Sequence, residues 1–138
     1  MSVSLADVIE NNLEWLVDEV AKDAIRQIPS YGKAPIKLTM ARMERLLKIL
    51  AESVRRNNPN IMEQFLEGVA VERHERAYPI GELHAILDST ERHLSDLVKQ
   101  STSDNVERNG QLALVDAIMD SARMVFSKAY LLIAAGKA

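Results

Sequence analysis

The sequence predicts an all-α protein of five helices. In five segments the apolar residues recur at three- and four-residue steps, which places them on one face of a helix. No segment shows the strict alternation of apolar and polar residues that is typical of a half-buried strand. The 5 glycines and 4 prolines are also too few for a protein with many β-turns. We expect residues 1–138 to form a single helical domain.

The first two helices are predicted on either side of a loop rich in helix breakers. The first helix spans residues 4–28, where an apolar stripe runs from Leu5 to Ile28. The loop 29–35 contains two prolines and a glycine, which end that helix. The second helix spans residues 36–57.

The other three helices begin at local start signals. Asn58 is a good N-cap, and Pro59 suits the first position of the third helix. Pro79 ends that helix, because it disfavours helical geometry in the residue before it, and it begins the fourth. Asp104 and Glu107 have the spacing of a capping box at the start of the fifth. The predicted spans are 59–77, 79–100 and 104–135.

Composition and charge exclude several classes of protein. The chain has no cysteine, so it contains no disulfide, cysteine-ligated metal or thiol nucleophile. A net charge of −3 argues against a general nucleic-acid binder. The most apolar stretch, residues 129–135, is too short to cross a membrane, and the N-terminus lacks the basic and apolar regions of a signal peptide. We expect a cytoplasmic protein that binds neither nucleic acid nor membrane.

Charge is distributed unevenly between the first two predicted helices. Residues 3–30 hold 6 acidic and 2 basic side chains, whereas residues 31–58 hold 7 basic and 2 acidic ones. The basic residues lie opposite the apolar stripe of the second helix. They form either a solvated face that complements an acidic neighbouring helix or a docking surface for an acidic partner.

The histidines do not have the spacing of a metal site. Each of the three follows a glutamate by two residues, whereas a carboxylate-bridged bundle needs Glu-x-x-His. No histidine follows another by four residues, as a zinc pair on one helix would require. His74, His84 and His93 fall beside their apolar stripes, which predicts flanking or exposed side chains rather than haem ligands. His84 is also placed to pair with Asp88 one turn later.

No catalytic constellation accompanies the serine, threonine and lysine residues. The sequence has no nucleophile elbow, phosphate loop or Ser-x-x-Lys motif. We therefore predict a non-enzymatic protein that has no cofactor and no metal.

Two polar features depart from a simple amphipathic pattern. Trp15 lies opposite the stripe of the first helix, near Lys22 and Arg26. This face is either an interface with another helix or subunit, or a tryptophan packed along neighbouring aliphatic stems. Arg73 and Arg76 continue the apolar stripe of the third helix at its C-terminal end.

Two roles are open for these two arginines. They suit the last carbonyl groups and the dipole of the third helix. Alternatively, they hold a carboxylate such as Glu82, or contact an anionic ligand or a partner.

The junction between the third and fourth helices carries a resemblance to a known family. An arginine closes one helix, and a short turn leads into an apolar residue followed by Gly-Glu-Leu. This pattern resembles the N-terminal sensory domain of RsbR-type stressosome proteins, the RsbT co-antagonists, and the opening helix with Ile9, Trp15 and Leu16 is also similar. The likeness covers about residues 4–135. The junction reads Glu75-Arg76-Ala77-Tyr78-Pro79-Ile80-Gly81-Glu82-Leu83-His84-Ala85-Ile86-Leu87.

The resemblance implies a globin-like bundle of five helices without haem. It also implies a homodimer that receives a signal, relays it through the fifth helix and works with a protein partner in a stress-signalling complex. Members of the family carry a STAS domain after the sensory domain, which these 138 residues do not contain. Two alternatives remain: a haem-binding globin sensor, and a small helical enzyme with a pocket near Arg73, Arg76 and Glu82.

Overall fold

The computed structural model describes residues 4–136, and over this part of the chain it is all-helical, with no strand. The all-α prediction is therefore confirmed, but the described residues form seven helices rather than five. Four of the predicted helices are present with ends within two residues of those expected. The helices are α1 Leu5–Asn11, α2 Leu13–Gln27, α3 Pro29–Gly32, α4 Ile36–Arg55, α5 Pro59–Glu75, α6 Ile80–Ser101 and α7 Asn105–Ala134.

The first predicted helix is divided in two at Asn12. The backbone of Asn12 leaves helical geometry (φ −121°, ψ 21°), and its side-chain amide donates a hydrogen bond of 2.8 Å to the carbonyl of Val8. The Asn12 carbonyl accepts from the Leu16 amide, so the next helix starts immediately. Asparagine competes for backbone hydrogen bonds in this way more readily than most residues do.

The short helix α3 lies in the segment predicted to be a loop. Pro29 occupies its first turn, where a fixed φ and a missing N–H are tolerated. Tyr31, in the same helix, is buried. The additional helix α3 therefore forms because Pro29 begins a turn and the Tyr31 ring is buried in the core.

The helices enclose a single cluster of buried apolar side chains. α7 packs along α5 and α6, and α2 packs between α4 and α6, with α1 against α4. Phe126, Leu47, Leu66 and Leu87 are fully buried in this core. No helix among residues 4–136 is both long and apolar enough to cross a membrane.

Helices α4 and α5 end in the same way, with one residue in the left-handed region. Asn57 has φ 49° and Ala77 has φ 57°. After α5, the Ala77 amide bonds to the His74 carbonyl and the Tyr78 amide bonds to the Arg73 carbonyl at 2.9 Å. This is the Schellman pattern, and it turns the chain sharply into α6.

Candidate functional site

A buried arginine joins three helices at the turn between α5 and α6. The Schellman turn leaves Arg73 in the last turn of α5, with only 5% of its surface exposed. Its Nη1 donates to the Tyr31 hydroxyl at 2.7 Å, and its Nη2 donates to Glu82 Oε1 at 2.8 Å. Ser30 also donates to Glu82 Oε1, at 2.7 Å. The contact with Glu82 is one of the two roles predicted for Arg73.

Two tyrosine rings flank the same guanidinium group. The Arg73 Cζ lies 5.3 Å from the ring centre of Tyr31 and 4.7 Å from that of Tyr78. Aromatic faces stabilise a cation, and more strongly when water is excluded. The Nε–H of Arg73, however, is buried and has no hydrogen-bond partner among residues 4–136. A planar cation is thus held rigidly with one donor unsatisfied.

A cavity of about 110 Å³ lies beside this arginine, between α3, α4, α5 and α6. Its lining is mostly apolar, with a smaller charged part that includes Arg73. The apolar side chains are Met43, Leu46, Phe65, Leu66, Val69, Leu83 and Ile86, and the polar ones are Tyr31, Arg42, Arg45, Glu72, Arg73 and Tyr78.

The charges on the cavity wall are predominantly positive. Arg45 lies 5.5 Å from the ring centre of Phe65 and has no ion-pair partner in the described part of the chain. Arg42 is 3.6 Å from Glu72, and Arg76 is 3.7 Å from the same carboxylate oxygen. Glu72 is therefore shared between two cations at long distances, while Arg45 is left without a counter-charge.

Tyr31 keeps its proton at neutral pH. Burial raises the pKa of its hydroxyl above the usual value, although the charges of Arg73 and Arg42 act in the opposite direction. The cavity wall therefore offers a neutral hydroxyl and cationic guanidinium groups rather than a phenolate.

Arg76, predicted together with Arg73 as an anion or partner contact, lies outside the cavity. It is exposed at the C-cap of α5, and Glu72 is its ion-pair partner. Sequence reasoning missed Tyr31, Tyr78, Arg42 and Arg45, which complete the wall. Tyr78 could have been identified from the sequence, since it stands two residues after Arg76 in the junction.

A second polar cluster centres on Asp23, which is only 3% exposed. Its Oδ2 accepts from Ser89 at 2.7 Å, from Arg92 at 2.5 Å and from His93 at 2.9 Å. Its Oδ1 accepts from Arg26 at 2.5 Å. Burial pushes the pKa of Asp23 up, but the bonds from Ser89, His93 and Arg26 outweigh this and hold it at about 2. This buried carboxylate joins α2 to α6.

The three residues predicted as an interface lie on the outer side of that cluster. Trp15 is 42% exposed, and its ring meets the His93 ring edge-on at 5.8 Å. Lys22 pairs with Asp18 at 2.9 Å, and Arg26 is held by Asp23. Each of the three therefore has a contact within its own chain.

The remaining histidines are also engaged in contacts of their own. His84 shares a hydrogen bond of 2.6 Å with the hydroxyl of Ser127, so the predicted pair with Asp88 is wrong. Asp88 bonds instead to Arg123. His74 packs edge-on against the Tyr130 ring at 5.4 Å. The tertiary partners on α7 replace the local contact that spacing alone predicted.

The acidic first segment and the basic α4 complement each other, as one of the two interpretations predicted. Arg55 bonds to Asp7 at 2.9 Å and to Glu10 at 2.7 Å. The Arg55 contact lowers the pKa of Asp7. These ions are about half exposed, so the pairs add little to stability.

Three acidic groups meet at the surface of α6 and α7. Oxygens of Glu91, Asp116 and Asp120 lie within 4.8 Å of one another. Arg123 pairs with Glu91 at 2.8 Å and with Asp120 at 3.0 Å, so its single positive charge offsets part of the three negative ones.

Comparisons with protein-family models, with curated proteins and with solved structures find no match to this chain. The RsbR-type resemblance therefore stays a prediction, and so does the globin-like arrangement that it implies. The arginine-lined cavity and the helix surfaces are the observations on which a function can be argued.

Proposed function

We propose that this chain is a non-catalytic sensory domain that works as a homodimer and relays its signal through α7. The single observation that carries the proposal is an exposed apolar stripe along the whole length of α7. Its apolar and small members are Val106, Gly110, Ala113, Leu114, Ala117, Ser121, Met124, Leu131 and Leu132, with Ala135 at the C-cap, and all of them are exposed.

The stripe occupies one continuous sector of the helix, opposite the buried face. At about 100° per residue, its members fall within roughly a 100° arc. Met124 is 71% exposed and Leu131 is 59% exposed, although both are large apolar side chains. An exposed apolar surface of this kind, which a single charged residue interrupts, is typical of an interaction site. The small residues among its members allow another helix to approach closely.

A second copy of this chain fits the stripe by charge as well as by shape. Lys128 is the one charged residue within the arc, and Asp120 lies about 20° beyond its edge, about two turns earlier. An antiparallel pair of α7 helices that crosses at Met124 would set Lys128 of each copy beside Asp120 of the other, whose partner within its own chain is Arg123. A parallel pair would set the two lysines against each other, which opposes association. We therefore favour the antiparallel dimer.

The cavity near Arg73 supports a sensory role better than an enzymatic one. Its wall includes no serine, histidine or lysine among the described residues, and Tyr31 is held in its neutral form. The haem alternative gains no support, because His84 bonds to Ser127 and His93 bonds to Asp23. The RsbR-type resemblance supplies the class of partner, a protein of a stress-signalling complex.

Sedimentation equilibrium tests the dimer. We expect the wild-type protein to sediment as a dimer and Leu131→Glu as a monomer, because the new charge is placed in the apolar stripe. Leu38→Glu is the matched control, since Leu38 is an exposed leucine on α4 (43% exposed). Trp15→Ala changes the exposed surface of α2 and not the α7 stripe, so it should leave the dimer intact. A wild-type monomer, or equal association of Leu131→Glu and the control, would remove the proposal.

A further inference from the structure

We propose that the cavity beside Arg73 binds a small carboxylate anion with a short apolar body. The binding site does not depend on the α7 dimer. Only the statement that the bound carboxylate is the signal sensed by this domain rests on the proposed function. Three features of the cavity support this proposal: its volume, its divided lining and the incomplete counter-charges of its arginines.

The volume limits the size of the ligand. A cavity of about 150 Å³ is large enough for benzene, whose body has six carbons. The cavity here measures about 110 Å³. It therefore holds a ligand of about four or five carbons in all, the carboxyl carbon included. Long acyl chains and nucleotides would not fit inside it.

The lining selects an amphipathic ligand. Met43, Leu66 and Ile86 are all buried and belong to the apolar part of the wall. These surfaces would exclude a fully hydrated ion such as phosphate, because they offer it no hydrogen bonds. They favour instead an alkyl or small branched group that leaves water on binding.

The charged part of the wall selects an anionic head group. Arg45 has no counter-charge in the described part of the chain, and the only acid near Arg42 is 3.6 Å away and shared with Arg76. A carboxylate matches the fork of a guanidinium group and would replace this weak contact. Glu82 already neutralises Arg73, so Arg42 and Arg45 are the cations available to a ligand.

One polar atom in the wall has no partner. The Nε–H of Arg73 is buried and unsatisfied, although the rest of the guanidinium is held by Tyr31 and Glu82. A buried donor without an acceptor costs free energy, which a ligand oxygen recovers if it reaches this edge of the guanidinium, the edge that also carries the Nη2 bound to Glu82.

Titration of the protein with unbranched carboxylates from acetate to octanoate, followed by amide chemical shifts, tests the proposal. We expect saturable shifts in α4, α5 and α6, with the tightest binding near butyrate and pentanoate. The matching 1-alcohols and inorganic phosphate should bind at least about tenfold more weakly, since each lacks either the charge or the apolar body.

Two variants separate ligand contacts from general stability. Arg45→Gln should weaken pentanoate binding by about tenfold, because it removes a charged partner of the carboxylate. Lys48→Gln is the control, since Lys48 lies on the exposed side of α4 and pairs with Glu44. Val69→Leu partly fills the cavity and should move the optimum to a shorter acid, an effect that loss of stability alone would not produce.

The outcomes are distinct. If the protein is a monomer but binds a carboxylate saturably, the ligand site is supported and the α7 dimer is not. If the protein is a dimer but binds no carboxylate, the dimer is supported and the ligand site is not. The ligand proposal is overturned if no carboxylate produces saturable shifts, if alcohols or phosphate bind as tightly as the acids, or if Arg45→Gln binds pentanoate like the control.

Discussion

The free energy of unfolding should fall between about pH 4 and pH 2 because of Asp23. Its pKa is about 2 in the folded protein, against an ordinary value of 3.8. A carboxylate whose pKa is lowered by folding stabilises the protein above its unfolded pKa, and the stabilisation is lost as the pH falls through the folded pKa. The difference of about two pKa units corresponds to about 2 kcal/mol.

Asp23→Asn isolates this contribution from that of other carboxylates. Asparagine has nearly the shape of a protonated aspartate, so at pH 7 the variant should lose about the same 2 kcal/mol as protonation does. The arginines released, Arg26 and Arg92, are more than half exposed and return to water at little cost. The difference between wild type and variant should then shrink towards zero near pH 2.

Urea denaturation at a series of pH values measures this difference. Asp96→Asn is the matched control, because Asp96 is an exposed aspartate on α6. We expect it to change stability by less than about 0.5 kcal/mol at every pH. A gap between wild type and Asp23→Asn that is the same at pH 7 and pH 2 would refute the reasoning, since the Asp23 charge would then contribute nothing.

Five other substitutions test the helix ends and the core, each by urea denaturation. Ala77→Gly should stabilise the protein by about 1 kcal/mol, because glycine adopts the left-handed backbone (φ 57°) without strain; Ala113→Gly, at an exposed position within α7, should have the opposite sign. Asn57→Gly should gain less than Ala77→Gly, since asparagine already tolerates this region, and an equal gain would contradict the argument. Phe126→Ala should cost about 3–5 kcal/mol, because the ring is fully buried, whereas Phe126→Leu should cost much less.

Local patterns in the sequence were sufficient to predict most helix ends. Asn58, Pro59 and Asp104 mark starts by chemistry that acts within one turn, and the observed helices begin there. Asn12 was missed because the apolar stripe continues through it, so periodicity gives no sign of the break. The burial of Tyr31 depends on what packs over the loop, which a local pattern does not contain.

The polar clusters were predicted less well, because their partners are distant in sequence. Asp23 was counted only among the six acidic side chains of residues 3–30, although it stands three residues after Val20 on the apolar side of α2. This position was the available sign of burial. Glu82 was a predicted partner of Arg73, since both flank one turn. Tyr31 reaches the same arginine only because the tertiary fold brings α3 close to the end of α5, at a separation of 42 residues.

The cavity and the α7 stripe share one wall, and this gives the proposed relay a physical basis. Leu66 lines the cavity, and it also lines a groove of about 260 Å³ that Leu114, Ala117 and Ser121 of the stripe border on the other side. A ligand that moves Leu66 would alter this groove, and with it the surface proposed to bind a second copy. Linkage then requires that pentanoate changes the dimer dissociation constant by the same factor as dimerisation changes the affinity for pentanoate. Factors of one in both measurements would mean that a rigid Leu66 separates two independent sites, and the domain would bind its ligand without relaying it.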